Sequence, residues 1–161
     1  MTTAEYNLCV DDYSDSVYRF ILKNIRDEER ARDVVQESFV KMWEKVKDIS
    51  YEKARSYLFT TAYHTMIDVI RREKKQESLD DTPNYEPSHE RNYSDLNEVL
   101  NSALEKLPEI QKNVILLRDY EGYAYKEIGE IVNLNESQVK VYIYRARLAL
   151  KKYIGSMDAV I

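Results

Sequence analysis

Between Glu136 and Asp158 every charged side chain is a cation: Lys140, Arg145, Arg147, Lys151 and Lys152. Val139, Ile143, Ala146 and Leu150 recur among them at spacings of four, three and four, an apolar stripe with the period of a helix. A helix buried along that stripe presents its cations outward, where they neutralise phosphates. Glu136, Ser137 and Gln138 stand at its entering end, where short polar side chains reach base edges. Lys140, Val141 and Tyr144 lie farther along the same side, and Arg145, Arg147 and Lys151 suit phosphates or more distant base edges. The bland alternative is a solvated helix whose charge serves solubility.

Aromatic usage gives a second signal. Fourteen tyrosines stand against three phenylalanines, and a tyrosine joins a flat apolar face to a polar edge. Tyr51, Tyr57 and Tyr63 occur beside Lys53, Arg55 and His64, shortly before Arg71 and Arg72. Such a stretch could stack unpaired bases; the competing reading places most of these rings in a helical core.

Catalytic chemistry finds no footing. Cys9, His64 and His89 share no metal-ligand spacing, and Asp11/Asp12 and Asp80/Asp81 read as solvated charge. No nucleophile elbow appears. Three glycines cannot furnish a dinucleotide fingerprint or a phosphate-binding loop, and one cysteine permits no internal disulfide. The chain reads as a non-enzyme that needs no cofactor and no metal. Its longest apolar run is Val114 to Leu117 and no secretory signal opens it, so no membrane insertion and a cytoplasmic location are expected.

Helices must position these residues. The spacing predicts one over Tyr6–Leu22 with Val10, Tyr13, Val17, Phe20 and Ile21 inward, and a second over Asp27–Lys47 with a stripe of Val35, Phe39, Trp43 and Val46. A third, about Glu52–Lys75, would bury Tyr57, Leu58, Ala62, Met66, Val69 and Ile70. After Pro83 and Pro87, periodicity returns at Leu96, Leu100, Ala103, Leu104 and Leu107. Pro108 opens another helix with Val114, Leu116 and Leu117, and Gly122 ends it. A short helix Tyr125–Val132, a turn at Asn133–Leu134 and a capping box of Asn135 with Gln138 then lead into the basic helix. Short helix, tight turn and longer basic helix make a helix-turn-helix.

The expected fold is therefore all-α: two small helical domains, residues 1–75 and 99–161, joined by a flexible acidic linker, 76–98. Charge supports that division. The formal net charge of −5 argues against nucleic acid only until it is placed. Residues 1–75 are net 0, residues 76–98 net −6 and residues 99–161 net +1.

Three stretches, in order, resemble one family. Asp33-Val34-Val35-Gln36-Glu37-Ser38-Phe39-Val40-Lys41-Met42-Trp43 is similar to the core-polymerase-binding helix of the extracytoplasmic-function group of bacterial sigma-70 factors. Ala54–Arg72 resembles the segment that recognises and opens the minus-ten element, with Leu58, Ala62, Asp68, Arg71 and Arg72 on its pattern. Leu107-Pro108, Tyr125-Lys126-Glu127-Ile128-Gly129, Val139-Lys140 and Arg145-Ala146-Arg147 resemble the helix-turn-helix that reads the minus-thirty-five element.

The resemblance implies a factor that binds core RNA polymerase and promoter DNA and directs promoter-specific initiation. Asp33, Gln36, Glu37 and Lys41 would face the polymerase, with Val35, Phe39 and Trp43 holding their helix to its own domain. Tyr51, Lys53, Arg55, Tyr57, Tyr63, His64, Arg71 and Arg72 would meet the minus-ten element and its melted non-template strand. Glu136, Ser137, Gln138, Lys140, Val141, Tyr144, Arg145, Arg147 and Lys151 would meet duplex DNA upstream. An anti-sigma factor is a further partner the family implies. The linker's Asp80, Asp81, Glu86 and Glu90 would then act as a nucleic-acid mimic in a basic channel.

The chain departs from the family at several points. Tyr57 stands for a tryptophan, Tyr63 and His64 for an Arg-Asn pair, Gly129 for an alanine, Asn133 for a glycine and Gln138 for a threonine. Val141, Tyr142 and Tyr144 replace common small or basic residues, so promoter preference is not inherited. Two rival readings are a conventional helix-turn-helix regulator that binds duplex DNA as a dimer and an inactive sigma-like adaptor.

Overall fold

The computed structural model describes residues 1–79 and 95–158, and these fall into two compact helical units. The first holds α1 (Thr3–Ile25), α2 (Glu28–Glu44) and α3 (Ala54–Leu79). Its helix starts are written in local chemistry. Thr2 and Glu5 form a reciprocal capping box at α1, and Asp27 accepts from the Arg30 backbone N–H to start α2. Between α1 and α2 the chain turns at Arg26, which takes a left-handed φ of 61°.

The core of this unit is shared by all three helices. Val17, Phe20 and Ile21 of α1 and Val34, Ser38 and Met42 of α2 are buried with Leu58, Phe59, Ala62 and Met66 of α3. The Phe20 and Phe59 rings lie 5.8 Å apart. Each such ring or branched side chain contributes roughly 1.5–3 kcal/mol by leaving water. Ser38, in the middle, is fully buried and donates to the Val34 carbonyl at 2.7 Å, so its hydroxyl carries no unmet polarity. On α2 the inward stripe is rotated from the expected one. Val35 and Phe39 are buried, but Met42 takes the place expected for Trp43, which is 45% exposed and packs edge-on against Tyr6 at 4.9 Å. On α3, Tyr57, Val69 and Ile70 are half-buried, whereas Phe59 and Tyr63 go inside.

The second unit holds α4 (Asp95–Glu105), α5 (Glu109–Ile115), a π turn at Leu116–Tyr120, α6 (Tyr125–Val132) and α7 (Glu136–Asp158). Val114, Ile115, Leu116 and Leu117 are all buried. Four consecutive inward residues do not fit one face of an α-helix; the wider π turn, closed by Glu121 N–H to the Leu116 carbonyl at 3.1 Å, accommodates them. Gly122, with φ 74°, takes the chain out of that turn.

Two boundaries differ from the expected linker of 76–98. Helix α3 continues to Leu79 and α4 already begins at Asp95. Gln76–Leu79 contains no glycine or proline, so nothing stops the helix there. The rest of that interval, with Asp80, Asp81, Glu86 and Glu90, lies outside the described residues.

Candidate polymerase and nucleic-acid interfaces

On α2, Asp33, Gln36 and Glu37 are exposed on the side opposite the core. Lys41 is placed differently from a free surface cation. Its ammonium donates to the buried Thr65 hydroxyl of α3 at 3.0 Å and lies 3.4 Å from Glu37, so it fixes α2 to α3 and steers Glu37. Sequence reasoning missed Val40, which is 51% exposed between Gln36 and Glu44. With Trp43 beside it, the face has an apolar centre and a charged border, the usual composition of a protein-binding patch. The signal was present: once Val34, Ser38 and Met42 define the inward side, Val40 falls opposite at about 100° per residue.

The expected minus-ten residues divide into two groups. Tyr57, His64, Asp68 and Arg71 follow one another at spacings of seven, four and three along one side of α3; Tyr57 is half-buried and the other three are exposed. Lys53 precedes them, exposed in the turn Tyr51–Lys53. Arg72 is exposed, its guanidinium turned toward the Asp68 carbonyl at 3.4 Å. Arg55 is half-buried, with its guanidinium 5.6 Å from the centre of the Phe59 ring. Tyr51 is at the surface but lies against α1: desolvation, then the neighbouring Tyr13, Asp12, Cys9 and Glu5, push its hydroxyl pKa up. Tyr63 corrects the expectation of a stacking ring. It is only 8% exposed and packs inward, with His64 edge-on at 5.3 Å, because it falls on the same side of α3 as Phe59 and Met66.

In the second unit, Asn133 at φ 62° ends α6, and the Leu134 N–H reaches the Gly129 carbonyl at 2.9 Å. A Cβ on Gly129 would collide with the Leu134 carbonyl oxygen, which accounts for glycine in place of the family's alanine. Asn135 and Gln138 then form the expected reciprocal box: Gln138 N–H donates to Asn135 Oδ1 at 2.8 Å, and Asn135 N–H to Gln138 Oε1 at 3.0 Å. The Gln138 side chain is thus held at the cap through its oxygen.

Val139, Ile143 and Ala146 are buried and anchor α7. Glu136, Ser137, Lys140, Val141, Tyr144, Arg145, Arg147 and Lys151 are all exposed. They are not equally free. Lys140 lies 3.7 Å from Glu136 and 5.7 Å from the centre of the Tyr125 ring. Arg147 donates to Asp119 at 2.7 Å, a hydrogen bond that raises its pKa. Leu148, which sequence reasoning did not single out, is 44% exposed.

Among the described residues no group of three or more His, Cys, Asp or Glu side chains could hold a metal ion, and no helix is long and apolar enough to cross a membrane.

Comparison with known proteins agrees with this layout. Residues 9–76 match the sigma-70 region 2 family and residues 97–150 the sigma-70 region 4 family. RNA polymerase sigma factor SigV of Bacillus subtilis is 33% identical over 153 residues, covering 93% of this chain and 91% of that protein. ECF RNA polymerase sigma factor SigM of the same species is 29% identical, covering 86% of this chain and 88% of SigM. In fold, the chain resembles the sigma factor RpoE solved in complex with the anti-sigma factor NepR from Bartonella quintana, with a TM-score of 0.81, 20% identity and coverage of 93% and 96%. The chain belongs to the extracytoplasmic-function group of the sigma-70 family of RNA polymerase sigma factors.

Proposed function

We propose that this sigma factor divides promoter-directed initiation between its two units, with RNA synthesis left to the polymerase. The outward side of α2 docks on core polymerase through Asp33, Gln36 and Glu37 around Val40, while Lys41 holds Glu37 in place. The side of α3 that carries Tyr57, His64 and Arg71, with Lys53, Arg55 and Arg72 around it, meets the minus-ten element. Capturing flipped non-template bases there offsets an unstacking cost of a few kcal/mol. Helix α7 meets the minus-thirty-five element as duplex.

The observation that carries this reading is the pairing, in one chain, of a charged α2 face with an exposed apolar centre and a cation-rich α7 projecting from a helix-turn-helix. A dimeric duplex-binding regulator has no use for the first. Domains of about 1–79 and 95–158, an acidic connector between them, a cytoplasmic location and control by an anti-sigma protein complete the proposal.

The test is reconstitution with core polymerase and run-off transcription on genomic fragments. Discrete start sites that require this chain are expected. Asp33→Ala with Gln36→Ala should weaken core association at least tenfold without changing the melting temperature. Undiminished association, or tight binding to a palindromic duplex without polymerase, would reject the assignment.

A further inference from the structure

The outward surface of α7 is not uniformly polar. At about 100° per residue, Ser137, Val141, Tyr144 and Leu148 fall along its outermost line. Val141 is 46% exposed, Tyr144 68% and Leu148 44%, in a helix whose opposite side buries Val139, Ile143 and Ala146. Cations border this ridge on both sides. Lys140, Arg147 and Lys151 follow one edge, and Arg145 and Lys152 the other.

An apolar ridge between two rows of positive charge is complementary to the major groove. There, phosphates line both rims and base edges form the floor. The cations can reach the rims only if the ridge points at the floor. The apolar feature exposed on that floor is the C5-methyl group of thymine. Val141 and Tyr144 are three residues apart, about 4.5 Å along the helix axis, close to the rise of one base pair. Leu148 lies a further turn along, nearer the end of the stretch a helix can hold in the groove.

Resting on the assignment of α7 to the minus-thirty-five element, we propose that the Val141–Tyr144 ridge reads thymine methyl groups on neighbouring base pairs. It would thereby set this factor's promoter preference. The lysines and arginines at its borders supply affinity that is indifferent to sequence, whereas the ridge supplies discrimination between thymine and cytosine.

The test uses the full chain assembled with core polymerase on a promoter found by start-site mapping. Each thymine of the minus-thirty-five element is replaced in turn by deoxyuridine, which removes only the methyl group. Initiation should fall about fourfold at one or two adjacent positions, the effect of burying a single methyl. Val141→Ala should abolish the sensitivity at one of them while the thymine promoter still fires. Start-site-specific initiation that is indifferent to every deoxyuridine overturns the ridge proposal and leaves the initiation role standing. So does a minus-thirty-five element without thymine. If Val141→Ala leaves the deoxyuridine response unchanged but releases the factor from an inhibitory protein, the ridge is a protein-docking surface and the proposal is also overturned. Absence of any promoter-dependent initiation from an intact complex instead rejects the initiation role itself.

Discussion

Arg147 reaches from α7 to Asp119 in the π turn, its Nη2 lying 2.7 Å from the carboxylate Oδ1. The pair ties α7 to the element whose widened turn buries Leu116 and Leu117. Both side chains are about half exposed, at 50% and 42%, so solvent screens the interaction. Asp119→Asn should therefore cost less than about 1 kcal/mol in urea unfolding, and the difference should shrink in high salt. Arg147→Ala should show the same small loss and, in addition, weaken promoter-dependent initiation.

Gly129 offers a sharper test of the helix-turn-helix geometry. Restoring the family's alanine would drive a Cβ into the Leu134 carbonyl, a backbone atom that cannot swing aside. Gly129→Ala should destabilise the chain by about 1–3 kcal/mol, as overpacking does. It should also displace α7, so that initiation falls while core association is unchanged. Calorimetry and run-off transcription check the two halves separately.

Tyr63 and His64 are neighbours with opposite consequences. Tyr63 is buried, so Tyr63→Ala should remove about 3–5 kcal/mol of stability, as loss of a large core aromatic does. His64 is exposed, and His64→Ala should leave the melting temperature within a degree or two while slowing open-complex formation. Permanganate footprinting of the melted strand, beside thermal unfolding, distinguishes them.

Tyr6 gives a pH dependence with a definite sign. Its hydroxyl donates to the Phe39 carbonyl at 2.8 Å, and burial raises its pKa above the ordinary 10.0. The folded state therefore keeps its proton when the unfolded state has begun to lose it. The contribution is complete below pH 10 and fades as pH climbs through the raised value. Wild-type melting temperature should drop as pH rises above the ordinary 10.0, where Tyr6→Phe, already about 1 kcal/mol less stable at neutral pH, should drop less.

Much of this was legible in the sequence because it is local. The limits of α6, the left-handed Asn133 and the Asn135–Gln138 box depend on residues a few positions apart, and the structure has each where those residues call for it. Tertiary packing decided the rest. Trp43 fits an apolar stripe by spacing, but the approach of α3 selects Met42, and the larger ring is left at the margin against Tyr6. Tyr63 has a polar edge that suits either a surface or a core, and only the seating of α3 chooses between them. The π turn answers to four adjacent apolar side chains needing cover from different neighbours, which no single helical period describes. Val40 was hidden by its type, since a valine among charged residues reads as core until the core is known.

The cap at the head of α7 has a consequence for what that helix can say to a base. A free glutamine recognises adenine by giving one hydrogen bond and taking another. Gln138 already gives one lone pair of its oxygen to the Asn135 N–H, which leaves its amide nitrogen and the oxygen's second lone pair for a further partner. If α7 meets the major groove as proposed, that nitrogen can donate to adenine N7, to guanine N7 or O6 or to thymine O4, while the cap it belongs to keeps about 1 kcal/mol of helix stability. The side chain that starts α7 is thereby held in place before any base arrives.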